Sequence, residues 1–193
     1  MTFNSIHDPT HLYFVTASVV EWIPLFKNPK YAEVILSSLS WMQQEKRLLL
    51  FAFVIMPTHA HIIIKPEKQT MGETVQQFGS YTTHEILRKV REDERNEWLK
   101  IFQQQKRDPR HHHSIWQDIQ AKNIFSMEIL QQKMEYIHQN PIARDWRLAN
   151  DRADYVYSSA GYYDYGRSPI IGITDMNEWQ ASTAPPGTAE GAQ

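Results

Sequence analysis

The feature that most constrains the fold is an apolar segment, residues 48–56, that ends at Pro57-Thr58. It contains nine apolar residues in a row and is followed directly by His-Ala-His-Ile-Ile-Ile-Lys, residues 59–65. A short, uninterrupted apolar run bounded by turn residues is typical of a buried strand. The sequence therefore predicts two adjacent strands joined by a tight turn, with His59 and His61 at the start of the second strand.

Further strands and helices are predicted on both sides of this hairpin. Residues 11–20 are rich in β-branched and aromatic side chains and predict a first strand, and residues 114–117 predict the start of another. Helices are predicted in three segments where apolar residues recur at intervals of three or four, residues 29–47, 71–90 and 126–140. This succession favours an α+β fold, a two-layer sandwich with an antiparallel sheet.

The length and the composition predict one domain with a tail. A chain of 193 residues fits a single domain of ordinary size. From about residue 174 the sequence turns to Ser, Thr, Ala, Pro and Gly, a composition that buries too little apolar surface to fold. We therefore expect one domain over residues 1–175 and a disordered C-terminal tail over residues 176–193.

Composition and charge exclude several classes of protein. The chain has no cysteine, which excludes disulfides, thiolate zinc sites and cysteine nucleophiles. No apolar segment reaches the ~18 residues that cross a bilayer, and residues 1–10 do not resemble a secretory signal, so we expect a soluble, cytoplasmic protein without a membrane partner. The net charge of −2 argues mildly against nucleic acid, although residues 88–110 hold eight Lys or Arg against five Asp or Glu.

The histidine pair is the first candidate site. Side chains alternate between the two faces of a strand, so His59 and His61 are expected to project from the same side. Two imidazoles on one side can share a metal ion. The pair is equally compatible with two partly buried histidines that hydrogen-bond their neighbours and have no function.

The second candidate site lies at the end of the last predicted helix. Tyr136 and Asn140 are four residues apart and therefore lie on one helix face. The apolar stripe of this helix points in another direction and consists of Met127, Leu130, Met134 and Ile137. Tyr136 is therefore not an obvious core residue, although an isolated tyrosine on a helix is more often structural than nucleophilic.

These segments together resemble a known family. Residues 54–64, Trp116-Gln117 and the sequence Tyr-Ile-His-Gln-Asn-Pro at 136–141 resemble the REP-associated tyrosine transposases. These proteins are single-tyrosine HUH endonucleases, related to the insertion-sequence transposases. The resemblance covers residues 11–163, and its motifs occur in the order of the family. It implies the ferredoxin-like form of the sandwich, with helices on one face of the sheet.

The resemblance also implies an activity and a site. His59 and His61 correspond to two metal ligands, Asn140 to a third, amide ligand, and Tyr136 to the nucleophile. Oxygen and nitrogen ligands fit magnesium or manganese. In the family mechanism the tyrosine attacks a DNA phosphate and leaves a 5′-phosphotyrosine and a free 3′-hydroxyl. The implied partner is single-stranded DNA next to a hairpin, cut by a monomer or a homodimer.

Three positions depart from the family pattern. Members of the family commonly have Asn at the position of Thr58 and a bulky apolar residue at the position of Ala60. Neither change removes a ligand. A lysine is common where residues 78–80, Phe-Gly-Ser, occur here, which puts one phosphate contact in doubt.

Two interpretations are open for the candidate DNA-binding residues. Four cations, Arg88, Lys89, Arg91 and Arg95, could contact phosphates, or they could form a solvated helix face together with neighbouring glutamates. Trp116 and Tyr155 could stack on unpaired bases or pack in the core. The consecutive histidines 111–113 do not fit one side of a regular strand and are a weak candidate for a second metal site.

Two other functions compete with the nuclease. The first is a domesticated protein that binds a DNA sequence or hairpin but has lost cleavage. The second is an unrelated metallohydrolase for a small molecule, which would need further His or Asp ligands that the sequence does not identify.

Overall fold

A four-stranded antiparallel sheet forms the centre of the structure, a computed structural model that describes residues 11–104 and 114–183. The strands are β1 (Leu12–Val19), β2 (Leu48–Met56), β3 (His59–Pro66) and β4 (Trp116–Ile124). The longer helices are α1 (Pro29–Gln44), α2 (Met71–Glu92), α3 (Asn96–Gln104) and α4 (Met127–Gln139). Two short helices follow, α5 (Ala160–Tyr165) and α6 (Met176–Thr183).

The strand order is β2-β3-β1-β4, and all neighbouring strands are antiparallel. The hairpin predicted from the apolar segment is confirmed, because Met56 lies opposite His59 and Pro57-Thr58 forms the turn. The strand expected to start at residues 114–117 is β4. Together with α1, α2 and α4, these strands confirm the α+β class and the antiparallel sandwich.

Helices α1, α2 and α3 cover one face of the sheet. Val15, Ala17 and Ile62 on the sheet and Leu39 and Ile86 on the helices belong to one buried cluster. Local signals fix where these helices begin. The Asn28 side chain accepts a hydrogen bond from the Lys30 amide at the start of α1, and a capping box of Thr70 and Glu73 starts α2.

The opposite face is covered as well, by α4 and the C-terminal segment. There Phe14 and Ile63 on the sheet pack with Leu130 and Ile137 of α4. The expectation that all helices lie on one face is therefore corrected. The cause is visible in β2, whose residues are apolar on both faces and so need cover on both.

The folded chain continues beyond residue 175. Helix α6 occupies the first eight residues of the segment predicted to be a tail. Met176 is buried, and the Trp179 ring lies edge-on to Phe51 at 5.3 Å between centroids. These two apolar side chains, three residues apart, give α6 a face to bury. Residues 184–193 lie outside the described part of the chain.

No helix within residues 11–104 and 114–183 is both long enough and apolar enough to cross a bilayer.

Gly161 in α5 is packed too closely to carry a side chain. A Cβ atom at this position would lie 2.9 Å from the Ala153 carbonyl oxygen, which belongs to the backbone. We expect Gly161→Ala to lower the free energy of unfolding by about 1–3 kcal/mol, because the neighbouring backbone must shift. Urea denaturation measures this change. Gly172→Ala is the matched control, since its Cβ would meet no atom within 4 Å. Equal stability of the two variants would contradict the close contact between Gly161 and the Ala153 carbonyl.

Candidate active site

His59 and His61 lie on the face of β3 that is covered by α4. Between and after them, Ala60 and Ile62 point into the α1–α2 core. The two imidazole rings have their centroids 4.8 Å apart. The prediction that both histidines project from one side of a strand is therefore confirmed. Phe14 of β1 stacks on the His61 ring, with 5.3 Å between centroids and 19° between planes.

Each of the two rings pairs with a threonine hydroxyl through Nδ1. His59 Nδ1 lies 3.0 Å from Thr58 Oγ1, and His61 Nδ1 lies 3.0 Å from Thr16 Oγ1, on the opposing residue of β1. When Nδ1 carries the proton and donates to the hydroxyl, Nε2 keeps a lone pair for a metal ion. The same kind of hydrogen bond orients metal-bound histidines in general. Thr58, a departure from the family pattern, thus contacts the ring that it precedes.

Burial keeps both histidines neutral. It is the main cause that lowers the pKa of His59, and a hydrogen bond with the Asn140 side chain acts in the opposite direction. Burial lowers the pKa of His61 to about 3, with further contributions from the charges of His59 and Lys133. Neutral imidazole is the form that binds a cation, so both rings are in the binding form at pH 7.

Helix α4 brings Tyr136, and Asn140 directly after its last residue, to the histidines. The Tyr136 hydroxyl lies 3.3 Å from His61 Nε2, and the Asn140 side chain hydrogen-bonds His59. Leu130 and Ile137 anchor the helix in the core beneath, which turns the face with Tyr136 and Asn140 toward β3. The two candidate sites predicted from the sequence therefore lie together in the structure. Asn140 is buried there, while Tyr136 is 48% exposed and accessible to a ligand.

A polar network fixes the Tyr136 end of α4. Arg152 donates two hydrogen bonds to the Asp164 carboxylate, at 2.7 and 2.8 Å, and one to Glu135 at 2.7 Å. A bidentate arginine-carboxylate pair restrains both partners more than a single contact does. Below it, buried His138 pairs with Ser159 Oγ at 2.9 Å. His138 is therefore a buried, hydrogen-bonded residue of the fold.

The donor set of the site fits a divalent cation. Two neutral imidazoles and one carboxamide are nitrogen and oxygen donors, and three ligands leave coordination positions open for a substrate. In residues 11–104 and 114–183, no three His, Asp or Glu side chains are grouped closely enough to hold a metal ion. A metal ion held by the histidine pair would therefore need a ligand of another kind from those ranges, and the Asn140 amide is the one that the motif resemblance suggests.

The structure does not bring the four predicted DNA-binding cations to this site. Arg88, Lys89, Arg91 and Arg95 lie on α2 or just after it, in the helical layer across the sheet from the histidines. Arg88 pairs with Glu85 and Glu92, and the Arg95 guanidinium lies 5.5 Å from the centre of the Trp98 ring. The ion pairs of Arg88 with Glu85 and Glu92 are those of a solvated helix face.

Trp116 is a core residue. Its side chain is buried between Phe26 and Phe78, and its Nε1 donates a 2.9 Å hydrogen bond to Thr82 Oγ1. The interpretation of Trp116 as a surface for base stacking is therefore wrong. Tyr155 is half-buried and donates a hydrogen bond to the Ile55 carbonyl at 2.8 Å, so its role is structural as well. The histidines 111–113 lie outside the described residues.

Three residues near the site were not identified from the sequence. The Trp22 and Trp146 rings flank His59, with centroids 6.0 and 5.7 Å from its own. The ammonium of Lys133 lies 5.8 Å from the centre of the Tyr136 ring. Lys133 could have been identified from its spacing, because a residue three positions before Tyr136 lies on the same helix face. The tryptophans carried no such signal, since their positions depend on how loops pack.

Comparisons with known proteins support the fold. No protein-family model matches the sequence, and no curated protein matches it. Among solved structures, the chain is similar to a REP-associated tyrosine transposase bound to a REP hairpin, with a TM-score of 0.59 and 16% identity over 91% of this chain and 92% of that chain. It is also similar to a transposase candidate from Deinococcus radiodurans, with a TM-score of 0.43 and 14% identity over 66% of this chain and 88% of that one. The first of these similarities shows a shared fold.

Proposed function

We propose that this chain is a single-tyrosine HUH endonuclease of the REP-associated transposase type, which nicks and rejoins single-stranded DNA next to a hairpin. The observation that carries the proposal is the contact between Tyr136 and His61, 3.3 Å from phenol oxygen to Nε2. These residues stand 75 positions apart, yet they are the ones that the motif resemblance assigns as nucleophile and metal ligand. The structural neighbour bound to a REP hairpin supports DNA as the partner.

His59, His61 and Asn140 would hold the magnesium or manganese ion. When bound, the ion would polarise the scissile phosphate as a Lewis acid and help to orient it. The protein supplies the ligand geometry. The threonine hydroxyls orient both imidazoles, burial keeps them neutral, and α4 places the amide beside His59.

Tyr136 supplies the nucleophile. Its phenol oxygen forms a bond to phosphorus while the bond from phosphorus to the 3′ oxygen breaks. The phenol loses its proton, and the departing strand gains one as a 3′-hydroxyl. A phosphodiester is exchanged for a phosphotyrosine diester, so a 3′-hydroxyl of another DNA end can reverse the step without ATP.

A covalent adduct tests this function. The full chain is incubated with magnesium and labelled hairpin oligonucleotides that carry single-stranded flanks. We expect a band in denaturing gels that contains protein and DNA, depends on the metal, and maps to the peptide that contains Tyr136. Tight hairpin binding without an adduct, over many hairpins and both metals, would contradict the nuclease. That result would favour the domesticated DNA-binding protein.

The Thr16 hydroxyl is expected to contribute to metal affinity. Thr16→Val removes the partner of His61 Nδ1 at nearly constant volume, so the ring loses its orientation and its preferred tautomer. We expect the affinity for Mn²⁺ to fall by about 10- to 100-fold. Titration followed by electron paramagnetic resonance of free Mn²⁺ measures it. Thr83→Val, on α2 across the sheet, is the matched control and should bind as the unchanged protein does. An unaltered affinity of Thr16→Val would contradict this role.

A further inference from the structure

A polar groove lies beside the Tyr136–His61 pair, on the sheet face that carries the histidines. It encloses about 140 Å³ between β1, β4 and α4. Its lining includes Phe14, Thr16, Asp118, Gln120, Lys122 and Lys133. Pockets that enclose whole small-molecule ligands measure roughly 300–1,000 Å³. The groove therefore fits one part of an extended ligand better than a complete small molecule.

Two contacts connect this groove to the candidate active site. Thr16, in its floor, pairs with the His61 ring. Lys133, in its wall, has its ammonium 5.8 Å from the centre of the Tyr136 ring and 4.9 Å from that of Phe14. A ligand in the groove would thus lie next to the Tyr136 side chain.

The charges of the groove are separated along its length. Lys122 lies opposite Phe14 in the pairing of β1 with β4, so Lys122 and Lys133 stand at the same end. Asp118 is at the other end, where it accepts a 2.6 Å hydrogen bond from the Gln120 amide. A phosphate is attracted by the ammonium groups and repelled by the carboxylate. The groove can therefore orient a nucleotide, with its phosphate at the lysine end.

We propose that this groove binds the nucleotide that neighbours the scissile phosphate, and that Lys122 and Lys133 bind the phosphate of that nucleotide. The inference rests on the proposed function, because it takes Tyr136 as the point of cleavage. It assigns phosphate binding to lysines on the histidine face, in place of the four cations on α2 or just after it.

The salt dependence of DNA binding tests the two lysines. Fluorescence anisotropy measures the affinity of metal-free protein for a hairpin oligonucleotide with single-stranded flanks at several salt concentrations. For single strands, each phosphate contact contributes about 0.7 to the slope of log affinity against log salt. The double variant Lys122→Met/Lys133→Met should lose at least about 0.7 of this slope. The control, Lys89→Met/Lys100→Met on the other layer, should keep it.

The outcomes separate this inference from the proposed function. If the adduct forms but the slope of the double variant is unchanged, the groove assignment is overturned and the nuclease stands. If the slope falls although no adduct forms with any hairpin, the groove binds DNA and the nuclease fails. Failure of the unsubstituted protein to bind single-stranded DNA also overturns the groove assignment.

Trp22 supports a second inference from different observations. Its side chain is 56% exposed and edge-on to His59. Glu21 and Trp22 have φ values of 51° and 53°, so two consecutive residues other than glycine adopt the left-handed conformation. Such strained backbone persists where the surrounding structure enforces it, often at functional sites. An exposed indole in this conformation contributes little to the stability of the fold.

We infer that Trp22 stacks on an unpaired base of the DNA strand held at the site. Trp22→Ala should weaken binding of single-stranded DNA by about 5- to 150-fold, the range of one base–aromatic stack, with no change in salt slope. Trp22→Phe should recover part of the affinity. Trp41→Ala is the matched control, because Trp41 is 43% exposed on α1, in the other helical layer. Unchanged affinity of Trp22→Ala would overturn the inference.

Discussion

Tyr136→Phe is expected to abolish the covalent adduct with DNA and to slow nicking by at least about 10³-fold, as loss of a nucleophile does in other enzymes. The substitution removes one oxygen, the atom that lies 3.3 Å from His61 Nε2. The aromatic ring remains, with its edge-on contact to Phe14 and the nearby ammonium of Lys133. Folding and hairpin binding should therefore be unchanged.

A matched variant controls for the loss of any exposed phenol. Tyr81 on α2 is also 48% exposed but lies in the helical layer across the sheet. Tyr81→Phe should form the adduct at the normal rate. Rates are measured from single-turnover time courses on denaturing gels. An adduct that persists in Tyr136→Phe and is absent from Tyr81→Phe would show that the nucleophile is elsewhere.

His61→Gln is expected to reduce metal affinity and metal-dependent nicking by at least about 100-fold. Loss of a group that merely orients a ligand costs 10- to 100-fold in other metal sites, and loss of the ligand should cost at least the upper value. Glutamine keeps a polar side chain in this buried position. Glutamine, however, lacks the rigid imidazole ring of His61, which pairs with Thr16 on one side and faces Tyr136 on the other.

The metal effect is measured by Mn²⁺ titration and by adduct formation in parallel. His84→Gln is the control, because the His84 side chain is 77% exposed on α2. Tyr136→Phe and His61→Gln should differ in a defined way. The first should retain metal affinity and lose the adduct, whereas the second should lose both. Full Mn²⁺ affinity in His61→Gln would remove His61 from the ligand set.

The sequence predicted those features that depend on neighbours in the chain. Alternation along a strand was sufficient to place His59 and His61 on one side of β3. The spacing of four was sufficient to place Tyr136 on α4 and Asn140, which follows its last residue, on the same side of the helix axis. The turn at Pro57-Thr58 predicted the hairpin. The roles of these four residues stay predictions, based on the resemblance and consistent with their contacts.

Other assignments failed because they depend on contacts between distant segments. The sequence around Trp116 is compatible with either a surface or a core position for this side chain. Its burial was decided by contacts with Phe26, Phe78 and the hydroxyl of Thr82. Local charge suggested a basic face around Arg88. The packing of α2 placed that helix across the sheet from the histidines, which no local pattern encodes.

The sequence by itself determined the strands, the principal helices and the faces on which the two halves of the candidate site lie, because these follow from periodicity within single elements. Only the tertiary structure decided that the halves meet. Tyr136 reaches His61 only when Leu130 and Ile137 of the same helix are packed in the core. The same packing decided that the sheet is covered on both faces, that α6 extends the fold past residue 175, and that Lys133 and Trp22 lie beside the site. Contacts of this kind join residues far apart in the chain, so they depend on the assembled core.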